Sequence, residues 1–177
     1  DRLIRTLREL SFTYDSSVFW SPATALMKFY HRIKSKTSFR DSYGESGPLV
    51  PNHPYFPAAN NWKREGADRS LLEIPLPRSP FLLTPFYNNF HLSLPEFFRI
   101  LDVEFSRSQY LVYLFHLIEF CDMNDGFSPA LGVHPNLTSP VAVKIGRMRD
   151  TLRRLRRRYR VMRTDQFVER YRGNSCA

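Results

Sequence analysis

Apolar positions along the chain recur with two different periods, and the alternation between them outlines a fold. Leu3, Leu7 and Leu10 stand at i, i+4 and i+7 with Arg and Glu between them, which predicts a helix with one apolar stripe. Residues 12–19 are rich in aromatic and β-branched types and predict a short buried strand running into a loop. Pro22 in a first turn, with Leu26, Phe29, Tyr30 and Ile33 on one side, predicts an amphipathic helix over 22–36. From about 37 to 69 Pro, Gly, Ser and Asn are frequent, so this stretch reads as a long ordered surface excursion with aromatic anchors.

Residues 71–77 predict an apolar strand in which Pro75 and Pro77 cannot donate to a ladder, which places it at an edge or ends it. Ser93-Leu94-Pro95-Glu96 has the capping-box spacing ahead of Phe97, Phe98, Ile100 and Leu101, and predicts a helix start. Residues 110–116 are the strongest strand, apolar on both faces as a central parallel strand covered by helices should be. After a polar loop over 121–138, Ser139-Pro140 supplies a cap and first turn. Ile145, Met148, Leu152, Leu155 and Tyr159 then predict a long amphipathic helix. Residues 161–163 predict a last short strand, and Thr164 caps a terminal helix containing Phe167, Val168 and Tyr171. The order α-β, then β-α-β-α-β-α, predicts an α/β architecture of mostly parallel strands with covering helices, either a barrel or an open sheet.

A length of 177 residues suits one domain or a large piece of one. With 42% hydrophobic and 24% charged residues the chain matches globular usage, which excludes disorder throughout, a collagen-like repeat or a coiled-coil rod. The apolar run at 111–115 is far short of the roughly 20 residues a spanning helix needs, so no membrane span is expected. The charge excess, 26 − 17 = +9, favours polyanionic partners or anionic surfaces without choosing among them. Much of it sits in Arg153, Arg154, Arg156, Arg157, Arg158 and Arg160, flanking the Leu152, Leu155 and Tyr159 stripe. That placement reads better as the solvated outer face of a covering helix than as a nucleic-acid interface. Cys121 and Cys176 are too few for a disulfide scaffold, and the Asn136-Leu137-Thr138 sequon arises readily by chance, so the compartment stays open.

His116 follows the central strand at its carboxyl end, where α/β folds place their reacting groups. Imidazole can give or take a proton near neutrality, and Glu119, three residues on, stands where it could orient or charge the ring. The alternative is a core histidine bonded to backbone. His31, His53, His91 and His134 form no local metal-binding pair; there is no His-x-x-x-His, Cys-x-x-Cys or Asp-Asp. Gly-x-Gly-x-x-Gly, Walker and Gly-x-Ser-x-Gly motifs are also missing from the sequence.

Three segments in register carry a resemblance. Leu7-x-x-Leu10-Ser11-Phe12-x-Tyr14-Asp15-Ser16-Ser17, Leu71-Leu72-Glu73-Ile74-Pro75 and the stretch from Tyr110 through His116 to Phe120 are similar to the C-terminal half of the polysaccharide deacetylase (NodB-like) family. The tail resembles it too, through a basic helix, Tyr159-Arg160-Val161-Met162 and Thr164-x-x-Phe167. The resemblance covers most of 3–20 and 71–172, and implies a C-terminal portion of a distorted (β/α) barrel over 1–172, with the excursion at about 37–69 and a tail at 173–177. It further implies hydrolysis of N-acetyl or O-acetyl groups on a polysaccharide or glycan with a divalent metal, typically zinc. Leu114-x-His116 matches the family's late Leu-x-His motif, which implies that Leu114 lines the acetyl-methyl pocket and His116 is the general acid. Leu117-Ile118 stands where the closest family variant has Pro-Trp.

The family's Asp-Asp and His-x-x-x-His motifs, which supply its base and metal ligands, precede the matched region and do not occur here. The expectation is therefore a deacetylase C-terminal half with no metal ligand of its own, inactive alone and partnered by the N-terminal half of the barrel. The competing expectation is a non-catalytic carbohydrate-binding or assembly module using Trp20, Tyr55, Phe56 and Trp62 as sugar platforms. A nucleic-acid-binding domain built on the arginine helix ranks below both.

Overall fold

A computed structural model describes residues 2–18, 21, 50–80, 83, 86–133 and 135–174. The helix expected at 22–36, Trp20, His31, His134 and Cys176 lie outside the described residues. The chain divides into two compact units, one made of residues 1–77 and 160–177 and the other of 78–159.

The first unit opens with α1 (Arg2–Glu9). Its inward residue is Ile4, whereas Leu3 and Leu10 are 57% and 65% exposed, so the expected leucine stripe is not the buried face. Arg8, one turn after Ile4, explains the rotation: its guanidinium donates to the Pro57 carbonyl at 2.8 Å and pairs with Asp68 at 3.1 Å. The helix ends with Ser11 at φ 58°, and the Phe12 N–H reaches back to the Leu7 carbonyl while the Ser11 N–H reaches Arg8, the Schellman arrangement.

β1 (Tyr14–Asp15) then pairs in parallel with β4 (Leu72–Glu73), Tyr14 opposite Leu72 and Asp15 opposite Glu73. Ladder bonds from Ile74 N–H to Asp15 and from Leu76 N–H to Val18 carry the pairing further. Glu73 also exchanges both backbone bonds with Tyr55 on its other side. The alternation shows where the prolines act. Leu72, Ile74 and Leu76 donate toward β1, so Pro75 and Pro77 fall on the opposite edge and end the pairing there alone.

The irregular excursion of the sequence reading contains regular structure: β2 (Pro57–Ala58) and β3 (Asn61–Glu65) form an antiparallel hairpin. Its anchors are aromatic as expected, but Tyr55 and Phe56 are core residues, with the Tyr55 hydroxyl donated to the Trp62 carbonyl at 2.8 Å. Two faces expected as sugar platforms are thus turned inward. Residues 161–163 form no strand, and Val161 is 72% exposed. A terminal helix, α6 (Thr164–Asn174), does form; its Val168 is buried and its Tyr171 hydroxyl donates to the Pro54 carbonyl.

The second unit holds α2 (Asn88–Ser93), α3 (Glu96–Glu104), α4 (Pro135–Thr138) and α5 (Val141–Arg156), with 3-10 turns at Leu117–Phe120, Met123–Asp125 and Pro129–Val133. Phe86, Val103, Leu137 and Leu155 are its buried apolar residues. Neither expected cap forms. Ser93 closes α2 by donating to the Asn89 carbonyl, and α3 and α5 start after Pro95 and Pro140 without a cap from the preceding serine. Asp122 fills that role for α5, accepting the Val141 N–H at 2.8 Å. The inward side of α5 carries Lys144, Thr151 and Leu155.

The expected central strand at 110–116 has a single ladder position, Leu114 in parallel with Tyr87, and its residues are half-buried up to an exposed His116. Among the described residues only one edge of this segment is paired, through Tyr87, so it does not take the place of a central strand with neighbours on both edges. The architecture is therefore mixed α/β with short parallel pairings, and among the described residues no closed barrel forms. No described helix is long and apolar enough to cross a membrane.

Candidate functional site

His116 stands two residues beyond the Leu114 bridge, on the carboxyl side of the parallel pairing. Its partner strand segment ends at Tyr87, which leads directly into α2, and the Asn88 N–H donates to the Leu114 carbonyl at 2.9 Å. This local β-helix-β geometry brings Tyr87 and His116 edge to face, ring centroids 5.1 Å apart, with the Tyr87 hydroxyl 2.5 Å from His116 Nδ1. The His116 side chain keeps 53% of its surface exposed. With Nδ1 engaged, Nε2 is the nitrogen left to meet a ligand.

Glu119 enters through the 3-10 turn, whose first bond runs from its N–H to the His116 carbonyl at 3.0 Å. The carboxylate is buried. Oε2 accepts from Asn88 Nδ2 at 2.6 Å, while Oε1 has no hydrogen bond and lies 3.8 Å from His116 Nδ1.

Behind this pair a polar chain continues inward. Asn88 Oδ1 accepts from the Tyr113 hydroxyl at 3.3 Å, and that hydroxyl lies 2.7 Å from His91 Nδ1. His91 Nε2 is 3.0 Å from Asp102 Oδ2, and Asp102 Oδ1 accepts from Ser79 Oγ. Asn88, His91, Asp102 and Ser79 are all buried. Burial also pushes the Tyr113 phenol well above its ordinary range, so its proton stays in place. Tyr113, Phe115 and Phe120 form an aromatic run beside this chain, with successive centroids 4.8 and 6.2 Å apart.

His116 and Glu119 are thus together, as their spacing suggested, and Leu114 marks the strand position beside Tyr87. Sequence reading missed Tyr87, Asn88, Tyr113 and Asp102. His91 it tested only as a metal ligand, and here it faces a tyrosine and an aspartate instead. Among the described residues no three of His, Cys, Asp and Glu converge to hold a metal ion. Within residues 78–159 the arginine run is partly neutralised. Arg154 pairs with Asp150 and Glu104, and Arg158 with Glu104, while Arg153, Arg156, Arg157 and Arg160 are exposed.

Comparison with protein-family models, curated proteins and solved structures finds no match.

Proposed function

We propose that this chain carries the proton-donating side of a carbohydrate deacetylase, with His116 as general acid. The observation behind this reading is the seating of His116. Its Nδ1 is engaged by Tyr87 and faces the Glu119 carboxylate, and the half-exposed ring follows a parallel strand end. That arrangement suits a group that delivers a proton outward from Nε2 to a nitrogen, or ester oxygen, as it leaves an acetyl carbon. Leu114 would line the pocket for the acetyl methyl, as the resemblance to polysaccharide deacetylases implies.

The divalent metal of that family supplies an activated water and a polarised carbonyl. The Asp-Asp and His-x-x-x-His motifs that ligate it in that family do not occur in this sequence, so the share of the reaction assigned here to this chain is the proton. The partners proposed are an acetylated glycan and a segment bearing the Asp-Asp and His-x-x-x-His motifs.

The test joins this chain to such a segment and measures acetate release from N-acetylglucosamine oligosaccharides. His116→Ala should cut turnover by roughly 100-fold or more, the usual worth of a positioned acid, with metal content unchanged. Equal loss of turnover and metal would remove His116 from the acid role.

A further inference from the structure

The seating of His116 depends on a residue from another segment. Asn88 is the only described contact that holds the Glu119 carboxylate by a side-chain hydrogen bond, at 2.6 Å. That bond takes Oε2 and leaves Oε1, buried and without a hydrogen bond, facing His116 Nδ1 at 3.8 Å. A buried carboxylate oxygen with no donor is costly unless a positive or hydrogen-bearing group faces it. Facing it at 3.8 Å is His116 Nδ1, the nitrogen that also lies 2.5 Å from the Tyr87 hydroxyl; a proton on Nδ1 can donate to that hydroxyl while its positive N–H end stays beside the carboxylate.

Asn88 is itself held at two points. Its N–H is committed to the Leu114 carbonyl and its Oδ1 to the Tyr113 hydroxyl, and Tyr113 abuts the buried His91–Asp102 pair. The backbone bond places Asn88, and turning its side-chain amide would set Oδ1 against Glu119 Oε2, where two acceptors repel. The direction of the Asn88–Glu119 bond is therefore fixed by the carboxylate, which can only accept.

We propose that Asn88 is a positioning residue that, by clamping Glu119 beside Nδ1, keeps one proton on Nδ1, so that the ring acts with a second proton on Nε2, gives that proton to the leaving group and is left as the neutral Nδ1–H form. Tyr113 backs it by holding the Asn88 amide. The proposal deepens the reading of His116 as proton donor, and its direct test needs no turnover.

Two-bond proton–nitrogen correlation spectra of the histidine rings distinguish the two neutral tautomers at a pH where the ring is neutral. In the wild-type chain His116 should show the Nδ1–H pattern. Glu119→Gln and Asn88→Leu should each move it to a majority of the Nε2–H pattern, and Tyr113→Phe should move it part of the way. A role confined to packing predicts variants that melt earlier with the His116 pattern unchanged, which would overturn the proposal. An Nε2–H pattern in the wild type would overturn it as well. Should Asn88→Leu fail to fold, Glu119→Gln and Tyr113→Phe decide the matter, since each removes one charge or one hydroxyl at nearly constant volume. In the joined enzyme described above, Tyr113→Phe should lower kcat several-fold at unchanged KM. A tautomer shift without any acetate release from the wild type would leave this positioning role standing and remove the deacetylase reading.

Discussion

Glu73 shows how far one residue's behaviour is set by its surroundings. It lies on β4 directly opposite Asp15, is buried, and accepts from the Val18 N–H at 3.1 Å. Loss of hydration, helped by the Asp15 charge, pushes its carboxyl from 4.5 up to about 8. The folded state thus keeps a proton that the unfolded chain gives up above pH 4.5. Between that value and about 8, unfolding releases a proton and stability falls as pH rises, with a limiting slope of about 1.4 kcal/mol per pH unit. Glu73→Gln keeps an acceptor for Val18 and has no proton to lose. Urea unfolding from pH 5 to 8 should therefore show a flattened profile for the variant against a falling one for the wild type. Parallel profiles would mean that Glu73 ionises at its ordinary value.

Ser11 offers a second residue-scale test. A left-handed φ of 58° strains any residue with a Cβ, and glycine adopts it freely. Ser11→Gly should stabilise the chain by about 0.5–1 kcal/mol, read as a higher urea midpoint at constant slope. Destabilisation would show that the serine side chain contributes more than its backbone costs.

At the scale of elements, the ends and crossings of helices and strands are held by residues remote in sequence. Gly66 donates to the Phe56 carbonyl at 2.7 Å, and a Cβ there would lie 2.7 Å from the Ala58 Cα. Backbone cannot yield as a flexible side chain can. Gly66→Ala should thus cost about 1–3 kcal/mol and speed amide exchange in β2 and β3, and an unchanged midpoint would contradict the close approach. Arg99 joins α3 to α5 by donating to Thr151 Oγ1 at 2.7 Å and pairing with Asp150 at 3.0 Å, its own side chain almost fully buried. Arg99→Ala leaves Thr151 without that donor and opens a void where the side chain packed; since Asp150 keeps Arg154, a loss of about 2–4 kcal/mol in thermal or urea unfolding is expected. A loss below about 1 kcal/mol would assign that crossing to apolar packing alone.

Element-scale differences from the sequence reading have a common origin. The helices at 96–104, 141–156 and 164–174 were legible from apolar residues at helical spacing, although the buried side of α5 carries Lys144 and Thr151 beside Leu155 in place of the whole expected stripe. Their caps were not, since Asp122 caps α5 from 19 residues upstream, where no local spacing records it. Backbone hydrogen bonds to Val141 and Asn124 hold that carboxyl below its usual range, the mark of an anion serving as a cap. The face of α1 was misplaced for a related reason: Arg8 is drawn inward by the Pro57 carbonyl and Asp68, and Ile4 turns in with it.

At the scale of the whole molecule, the sequence by itself determined the mixed α/β character, the presence of parallel strands, and the proximity of His116 to Glu119. All three follow from local signals: hydrophobic period, the alternation of strand and helix patterns, and a three-residue separation. Tertiary structure alone decided what surrounds that histidine. Tyr87, Asn88 and His91 come from one stretch of the chain and Asp102 and Tyr113 from two others, and they meet where Leu114 pairs in parallel with Tyr87. Each of those polar groups is unremarkable in sequence and too costly to bury alone. Burial became possible only where the fold let every one satisfy the next, and that condition belongs to three-dimensional arrangement, which residue spacing does not encode.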